Sequence, residues 1–178
     1  MLRATAGDRL LNALEDALMT TATTGQASID IAASPEEVYD VLSDVTRMGE
    51  RSPECYRCKW LDGARQAVLG ARFRGYNRLG PIKWTTTCTV TAAERGREFA
   101  FTVISGHGRE ETRWRYLLDE IDGVTRLTES YEFLWCPVLA RIAEIPFPRD
   151  TQLRRGIRQT LAKIKDEVET RRQREAVH

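Results

Sequence analysis

The sequence predicts an α+β domain: a curved, seven-stranded antiparallel sheet wrapped around a long C-terminal helix, with two short helices after the first strand. Three observations carry this. Residues 34–62 read as a capped amphipathic helix, an irregular turn and a strand reaching Trp60. Five alternating segments follow, joined by connections too short for anything but antiparallel pairing. From Asp150 to about Arg172, apolar residues recur at helical spacing. A sheet gripping a single helix encloses a cavity, so the element order already points to a hydrophobic ligand pocket.

Residues 1–25 read as a helical extension and linker. Asp8 caps a short helix whose Leu10, Leu11, Leu14, Ala17 and Leu18 share a stripe, and TTATTG at 20–25 is a linker. This helix either packs on its own domain or mediates a homodimer. The domain proper is expected over 26–172, with a tail at 173–178. Residues 26–32 alternate as a first strand. Ser34 is a helix N-cap, Pro35 takes the first helical position and Glu37 completes a capping box. Val38, Val41, Leu42 and Val45 form the buried stripe. Strands are expected at 54–62, 70–79, 82–94, 97–105, 109–121 and 124–135, each bounded by glycine or a polar turn. Residues 136–148, with three prolines, read as a short helical segment and a bend. Leu153, Ile157, Leu161, Ile164 and Val168 then mark the face of the C-terminal helix laid on the sheet, its charged side turned to water.

Composition excludes several function classes. The chain has 178 residues, 42% apolar and 30% charged, with a net charge of +1. Nothing global points to nucleic acid or to an anionic membrane. No apolar run approaches the ~18 residues of a membrane span. Leu10–Met19 is broken by Asn12, Glu15 and Asp16, so it lacks a signal-peptide core, and a cytoplasmic protein is expected. Four cysteines in a chain of this length do not make a disulfide scaffold.

Several motifs occur in an informative order: Ser34-Pro35-Glu36-Glu37-Val38-Tyr39, then Asp44 through Glu50, then Ser52-Pro53-Glu54-Cys55 and Trp60-Leu61. Gly70 through Gly75, Trp114-Arg115-Tyr116 and Thr128-Glu129-Ser130 follow. Over about residues 26–170 the chain resembles the START-like superfamily that includes Bet v 1, also called SRPBCC. It is most similar to the bacterial polyketide cyclase/dehydrase and lipid-transport branch. The resemblance implies a helix-grip fold and a range of roles from lipid carrier to cyclase and stress protein. Arg51 stands where many relatives carry an aromatic residue, which places a charge near the expected pocket mouth.

Alternation assigns the inward faces. Trp114, Tyr116 and Leu118 oppose Arg113 and Arg115. Ile82, Trp84, Thr86, Cys88 and Val90 share a face, as do Phe99, Phe101 and Val103. Leu127, Glu129, Tyr131 and Phe133 point together, as do Phe73, Gly75 and Asn77. Tyr56, Cys58 and Trp60 line up on the strand at 54–62. The candidate ligand-binding set is therefore Trp60, Phe73, Asn77, Trp84, Phe99, Phe101, Trp114, Tyr116, Glu129, Tyr131 and Phe133. An aromatic lining with few polar groups suits a flat or chain-like apolar ligand carrying one or two polar groups.

Glu129 is the one carboxylate that alternation places inward in mid-strand, as a hydrogen-bond anchor, a general acid/base or half of a salt bridge. Cys55 and Cys58 have a redox or zinc spacing, but positions three apart on a strand face opposite sides, and a second ligand pair is missing. No metal or cofactor is expected, and no Ser-His-Asp or Cys-His arrangement or phosphate loop is readable. His107, between two glycines, is expected in a solvated hairpin. The basic residues Arg154, Arg155, Arg158, Lys163 and Lys165 alternate with acids and read as a solvated helix face.

Two functions follow as expectations. The first is a carrier or sensor of a small hydrophobic ligand, a lipid or a polyketide-like molecule. The alternative is an aromatase/cyclase or dehydratase working in the same cavity, with Glu129 and Tyr131 as catalytic acid/base candidates. A third, an interaction module, would act through the N-terminal helix.

Overall fold

The computed structural model describes residues 24–104, 108, 110–134 and 149–176. The expected N-terminal helix, His107 and the proline-punctuated segment at 136–148 lie outside the described residues. Strand β1 is Thr24–Ile31, two residues earlier than the alternation suggests. Helix α1 (Pro35–Leu42), a 3-10 turn (Val45–Arg47) and a single-turn helix α2 (Met48–Arg51) follow. Then come β2 (Cys55–Trp60), β3 (Arg72–Leu79), β4 (Ile82–Glu94), β5 (Glu98–Ile104), β6 (Glu110–Ile121) and β7 (Val124–Phe133). Helix α3 (Arg149–Glu175) ends the described chain.

The seven strands form one antiparallel sheet in the order β1-β7-β6-β5-β4-β3-β2. Every neighbour except the β1–β7 pair is a hairpin partner, as the short turns require. The passage through α1 and α2 carries the chain from one edge strand to the other. Bulges interrupt the ladders at Cys55/Arg57, Val90/Ala92 and Val103/Ile104. Each adds local twist and bend, and the sheet curls around α3.

Helix α1 starts where the capping box places it. The Glu37 N–H donates to the Ser34 hydroxyl at 3.3 Å, and the Ser34 N–H donates to the Glu37 carboxylate at 2.8 Å. The α1 stripe of Val38, Val41 and Leu42 is fully buried with Ile31, Phe99 and Leu127, and Leu161, Ile164 and Val168 of α3 belong to the same core.

The polar side of α3 is less solvated than its charge pattern implies. Arg51 of α2 is only 4% exposed and meets Glu167 at 2.9 Å, while Arg47 binds the same carboxylate and also Glu50. Lys163 donates to the Glu50 carbonyl at 3.0 Å and Lys165 to the Asp30 carbonyl at 2.7 Å. Glu169 accepts from the Ala32 N–H at 3.0 Å, and Arg172 donates to the Ala32 carbonyl. These bonds satisfy backbone groups freed where β1 and α2 end. They also correct the expectation for Arg51: its guanidinium clamps α2 to α3 and lies outside the cavity wall.

Strand β2 departs from simple alternation. The bulge at Cys55/Arg57 changes its phase, so Tyr56 turns outward, 49% exposed, and Cys55 turns inward with Cys58. Helix α2 packs against this irregularity at close range. A Cβ at Gly49 would lie 2.4 Å from the Tyr56 carbonyl oxygen, so only glycine permits the contact.

Leu161 is 1% exposed at the centre of the α3 contact. Leu161→Asp removes that contact and buries an unpaired charge, so a loss of at least ~3 kcal/mol is expected. Urea denaturation of the variant checks this, and an unchanged midpoint would refute the packing.

Candidate functional site

The concave face of the sheet is divided. Toward one end α1 and the later turns of α3 fill it. Toward the other, where among the described residues the first turns of α3 lie above the strands, a cavity of about 390 Å³ remains. That volume falls within the range of small-molecule pockets. Phe73, Gly75 and Asn77 of β3 and Trp84, Thr86 and Cys88 of β4 line it. So do Phe101 and Val103 of β5, Thr112, Trp114 and Tyr116 of β6, and Glu129 and Phe133 of β7. Leu153, Ile157 and Thr160 close it from α3, and Met48, Pro53, Cys55 and Cys58 from the α2–β2 side.

Eight of the eleven residues singled out by alternation thus meet around one space. Trp60, Phe99 and Tyr131 do not line it. Trp60 sits at the edge strand with its ring 5.7 Å from that of Phe73. Phe99 is drawn beneath α1, edge-on to Tyr39 at 6.5 Å. Tyr131 lies across Gly25 of β1, where an added Cβ would come within 2.5 Å of its ring. It packs there against Trp114 and Phe133 at 5.4 and 5.5 Å. Inward phase therefore does not by itself put a side chain on the cavity wall; position along the strand decides between wall and core.

The helix side of the wall was readable only as a packing stripe. Their spacing marks Leu153 and Ile157 as positions on the packing stripe, and nothing in it says that they face open space. Thr160 follows the same pattern: its hydroxyl donates to the Gly156 carbonyl at 3.1 Å, a local bond that lets a polar residue sit on the apolar face.

The chemistry concentrates on Glu129, which is 3% exposed. The Tyr116 hydroxyl donates to its Oε1 at 2.8 Å. Its Oε2 is buried with no hydrogen-bond partner among the described residues. Burial pushes the carboxyl up to about 8, with the Tyr116 hydrogen bond only partly opposing this. At neutral pH Glu129 is therefore a neutral acid, able to donate a proton. Burial, and then the neighbouring Glu129, hold the Tyr116 phenol well above its ordinary range. The salt-bridge alternative for Glu129 is not realised among the described residues. Tyr116, rather than Tyr131, is the hydroxyl paired with it.

The remaining polar lining is sparse. The Asn77 amide donates to the Thr86 hydroxyl at 3.3 Å. The ionisable carboxyl and basic side chains among the described lining residues are all acidic: Glu54, Glu111 and the neutral Glu129. Cys55 and Cys58, expected on opposite faces, are brought to the same face by the bulge, with Sγ atoms 3.4 Å apart. No group of three His, Cys, Asp or Glu side chains among the described residues is arranged to hold a metal ion. No helix among them is long and apolar enough to cross a membrane.

Comparison with known proteins agrees with this geometry. The profile of the family described as polyketide cyclase / dehydrase and lipid transport matches residues 22–169. The solution structure of the polyketide-cyclase-like protein Cgl2372 from Corynebacterium glutamicum is 33% identical, covering 90% of this chain and 99% of its own, with a TM-score of 0.57. Protein MLL2253 from Mesorhizobium loti is 16% identical over 83% of this chain and 97% of its own, at a TM-score of 0.59. Ara h 8.0201 shares the fold at 13% identity and a TM-score of 0.61, over 83% of this chain and 97% of its own. No curated protein matches the sequence.

The raised Glu129 carboxyl has a signed consequence for stability. Between its ordinary value of 4.5 and about 8, the folded protein holds a proton that the unfolded chain has lost. Its contribution is complete below 4.5 and is lost as pH rises through about 8, at about 1.4 kcal/mol per pH unit. Glu129→Gln removes this dependence. Urea denaturation of both proteins at about pH 5 and about pH 7.5 should show the gap moving in favour of the variant at the higher pH. A gap that stays constant would mean that Glu129 ionises as an ordinary carboxylate.

Proposed function

The chain belongs to the polyketide cyclase / dehydrase and lipid transport family of the START-like, Bet v 1-like superfamily, and from that premise we propose that it carries or senses a small, uncharged, largely apolar ligand bearing one oxygen acceptor. The observation that carries this reading is Glu129: a neutral buried acid in the cavity wall, with one oxygen fixed by Tyr116 and the other without a partner among the described residues. A ligand carbonyl or hydroxyl placed there accepts the acid proton and satisfies the group that burial leaves costly. The wall around it is aromatic and aliphatic, so the rest of the ligand gains by leaving water. Glu54 and Glu111, with no lysine or arginine among the described lining residues, oppose an anionic headgroup. A neutral lipid or an uncharged polyketide-like ring system fits these conditions better than a fatty-acid anion.

The Glu129–Tyr116 pair also supports the enzymatic reading. A neutral acid hydrogen-bonded to a phenol can protonate a carbonyl oxygen as a cyclisation or dehydration proceeds, and the closed wall supplies orientation. The two readings part at Glu129→Gln, which keeps shape and hydrogen bonding but loses the exchangeable acid. For a carrier, affinity for an uncharged apolar ligand changes by about tenfold or less. For a cyclase, turnover falls by about a hundredfold or more.

Native mass spectrometry of the purified protein is the direct experiment: a retained uncharged apolar molecule is expected. Val103→Trp places an indole in the cavity and should weaken binding of such a molecule by at least about tenfold, read by tryptophan quenching. Undiminished binding in this variant would move the ligand elsewhere on the molecule.

A further inference from the structure

The cavity wall contains a second reactive unit that the ligand reading does not use. Cys55 and Cys58 are both in the wall, 6% and 5% exposed, with Sγ atoms 3.4 Å apart. The β2 bulge creates this pair, since regular alternation would place the two thiols on opposite faces of the sheet. The Met48 thioether lies 3.8 Å beyond Cys58 Sγ, and Cys88, also on the wall, is a third thiol nearby. Sulfur atoms 3.4 Å apart are in van der Waals contact, and a further approach of about 1.4 Å would join them.

The two thiols are not equivalent. The contact with Cys58 holds the Cys55 thiol below its ordinary value, against the effect of burial. The same contact, with burial, pushes Cys58 far up, and burial, with a smaller push from Cys55 and against the Thr86 hydrogen bond, takes Cys88 to about 12. Cys55 is the nucleophile of the set and Cys58 the group beside it that can resolve an oxidised sulfur.

Access selects the reagent. The thiols are shielded from bulk solvent and border the cavity, which is walled by Trp84, Phe101 and Trp114 and has no basic side chain among its described lining residues. A bulky anionic oxidant such as a peptide disulfide is disfavoured there, whereas a small uncharged apolar one is concentrated. We propose that Cys55 and Cys58 form a redox-active dithiol site, oxidised to an intramolecular disulfide by an organic hydroperoxide that enters the ligand cavity. The Cys55 thiolate attacks the terminal peroxide oxygen, the O–O bond breaks, and the alkoxide leaves and takes up a proton as an alcohol. Cys55 is then a sulfenic acid. The Cys58 sulfur attacks it, hydroxide leaves with the Cys58 proton as water, and the S–S bond forms. In sum, two thiols lose two electrons and two protons, and the hydroperoxide is reduced to an alcohol and water. The site rests on the reading of the cavity as open to apolar molecules.

The test uses the reduced full-length chain and cumene hydroperoxide, with hydrogen peroxide as the polar comparison. Trypsin cleaves after Arg51, Arg57 and Lys59, so Cys55 and Cys58 fall on separate peptides that only a mutual disulfide can join. The expected product is that linked pair, released by dithiothreitol, in a protein lighter by two hydrogen atoms. Cys58→Ser should stop at a sulfenic acid that dimedone traps on Cys55, and Cys55→Ser should give neither product. Cumene hydroperoxide should act at least about tenfold faster than hydrogen peroxide, an advantage that Val103→Trp removes. Absence of the linked peptides, or bridges made only by Cys88 or Cys136, overturns the dithiol site even if the wild type binds an uncharged apolar dye such as N-phenyl-1-naphthylamine. A bridge formed equally fast by both peroxides overturns the apolar reagent class. If the dye does not bind either, the ligand reading fails separately.

Discussion

One geometric constraint organises this protein: the concave face of a seven-stranded curled sheet is larger than one helix can cover. Helix α3, 27 residues and about 40 Å long, crosses that face. Its second half meets α1 and β1, and there Leu161, Ile164 and Val168 close a solid core with Val38, Val41 and Leu127. Beside its first half no other helix lies among the described residues, and there the same face opens into the cavity. Bulges on three strands deepen the curl and enlarge the uncovered part. The stable end and the working end of the molecule are thus consequences of one mismatch in area.

The placement of α3 depends on polar contacts as well as on its stripe. Lys165, Glu169 and Arg172 bind the backbone where β1 ends, and Glu167 gathers Arg47 from the 3-10 turn and Arg51 from α2. A buried arginine and glutamate seldom add much net stability over a well-packed apolar pair, but removing one partner is costly. Their geometric effect is to fix the angle at which α3 leaves the core, and with it the height of the cavity roof.

Much of the fold was legible because local signals agreed with one another. The capping box started α1 where it was expected, and period-two alternation put Phe73, Trp84, Trp114 and Glu129 on the inner face. What alternation could not supply was depth. Phe99 and Tyr131 share the inward phase of Phe101 and Phe133, yet one is covered by α1 and the other is taken by the hollow over Gly25. Nor could it foresee the β2 bulge, which reverses Tyr56 and unites Cys55 with Cys58. A bulge inserts one residue without a strong sequence mark, and the only clue here is the approach of α2 at Gly49. The Tyr116–Glu129 bond was equally hidden, because it depends on the β6–β7 register rather than on either strand alone.

The buried acid also makes the cavity a site of proton accounting. A ligand that accepts a hydrogen bond from Glu129 stabilises the protonated carboxyl and raises its affinity for protons further. Near and above the pH where the free carboxyl begins to ionise, filling the cavity therefore draws a proton from solution, and emptying it returns one. The measured heat of binding then carries the ionisation enthalpy of whatever buffer supplies that proton. An alkaline shift would thus promote release of a ligand held in this way, since ionisation of the carboxyl withdraws the proton it donates.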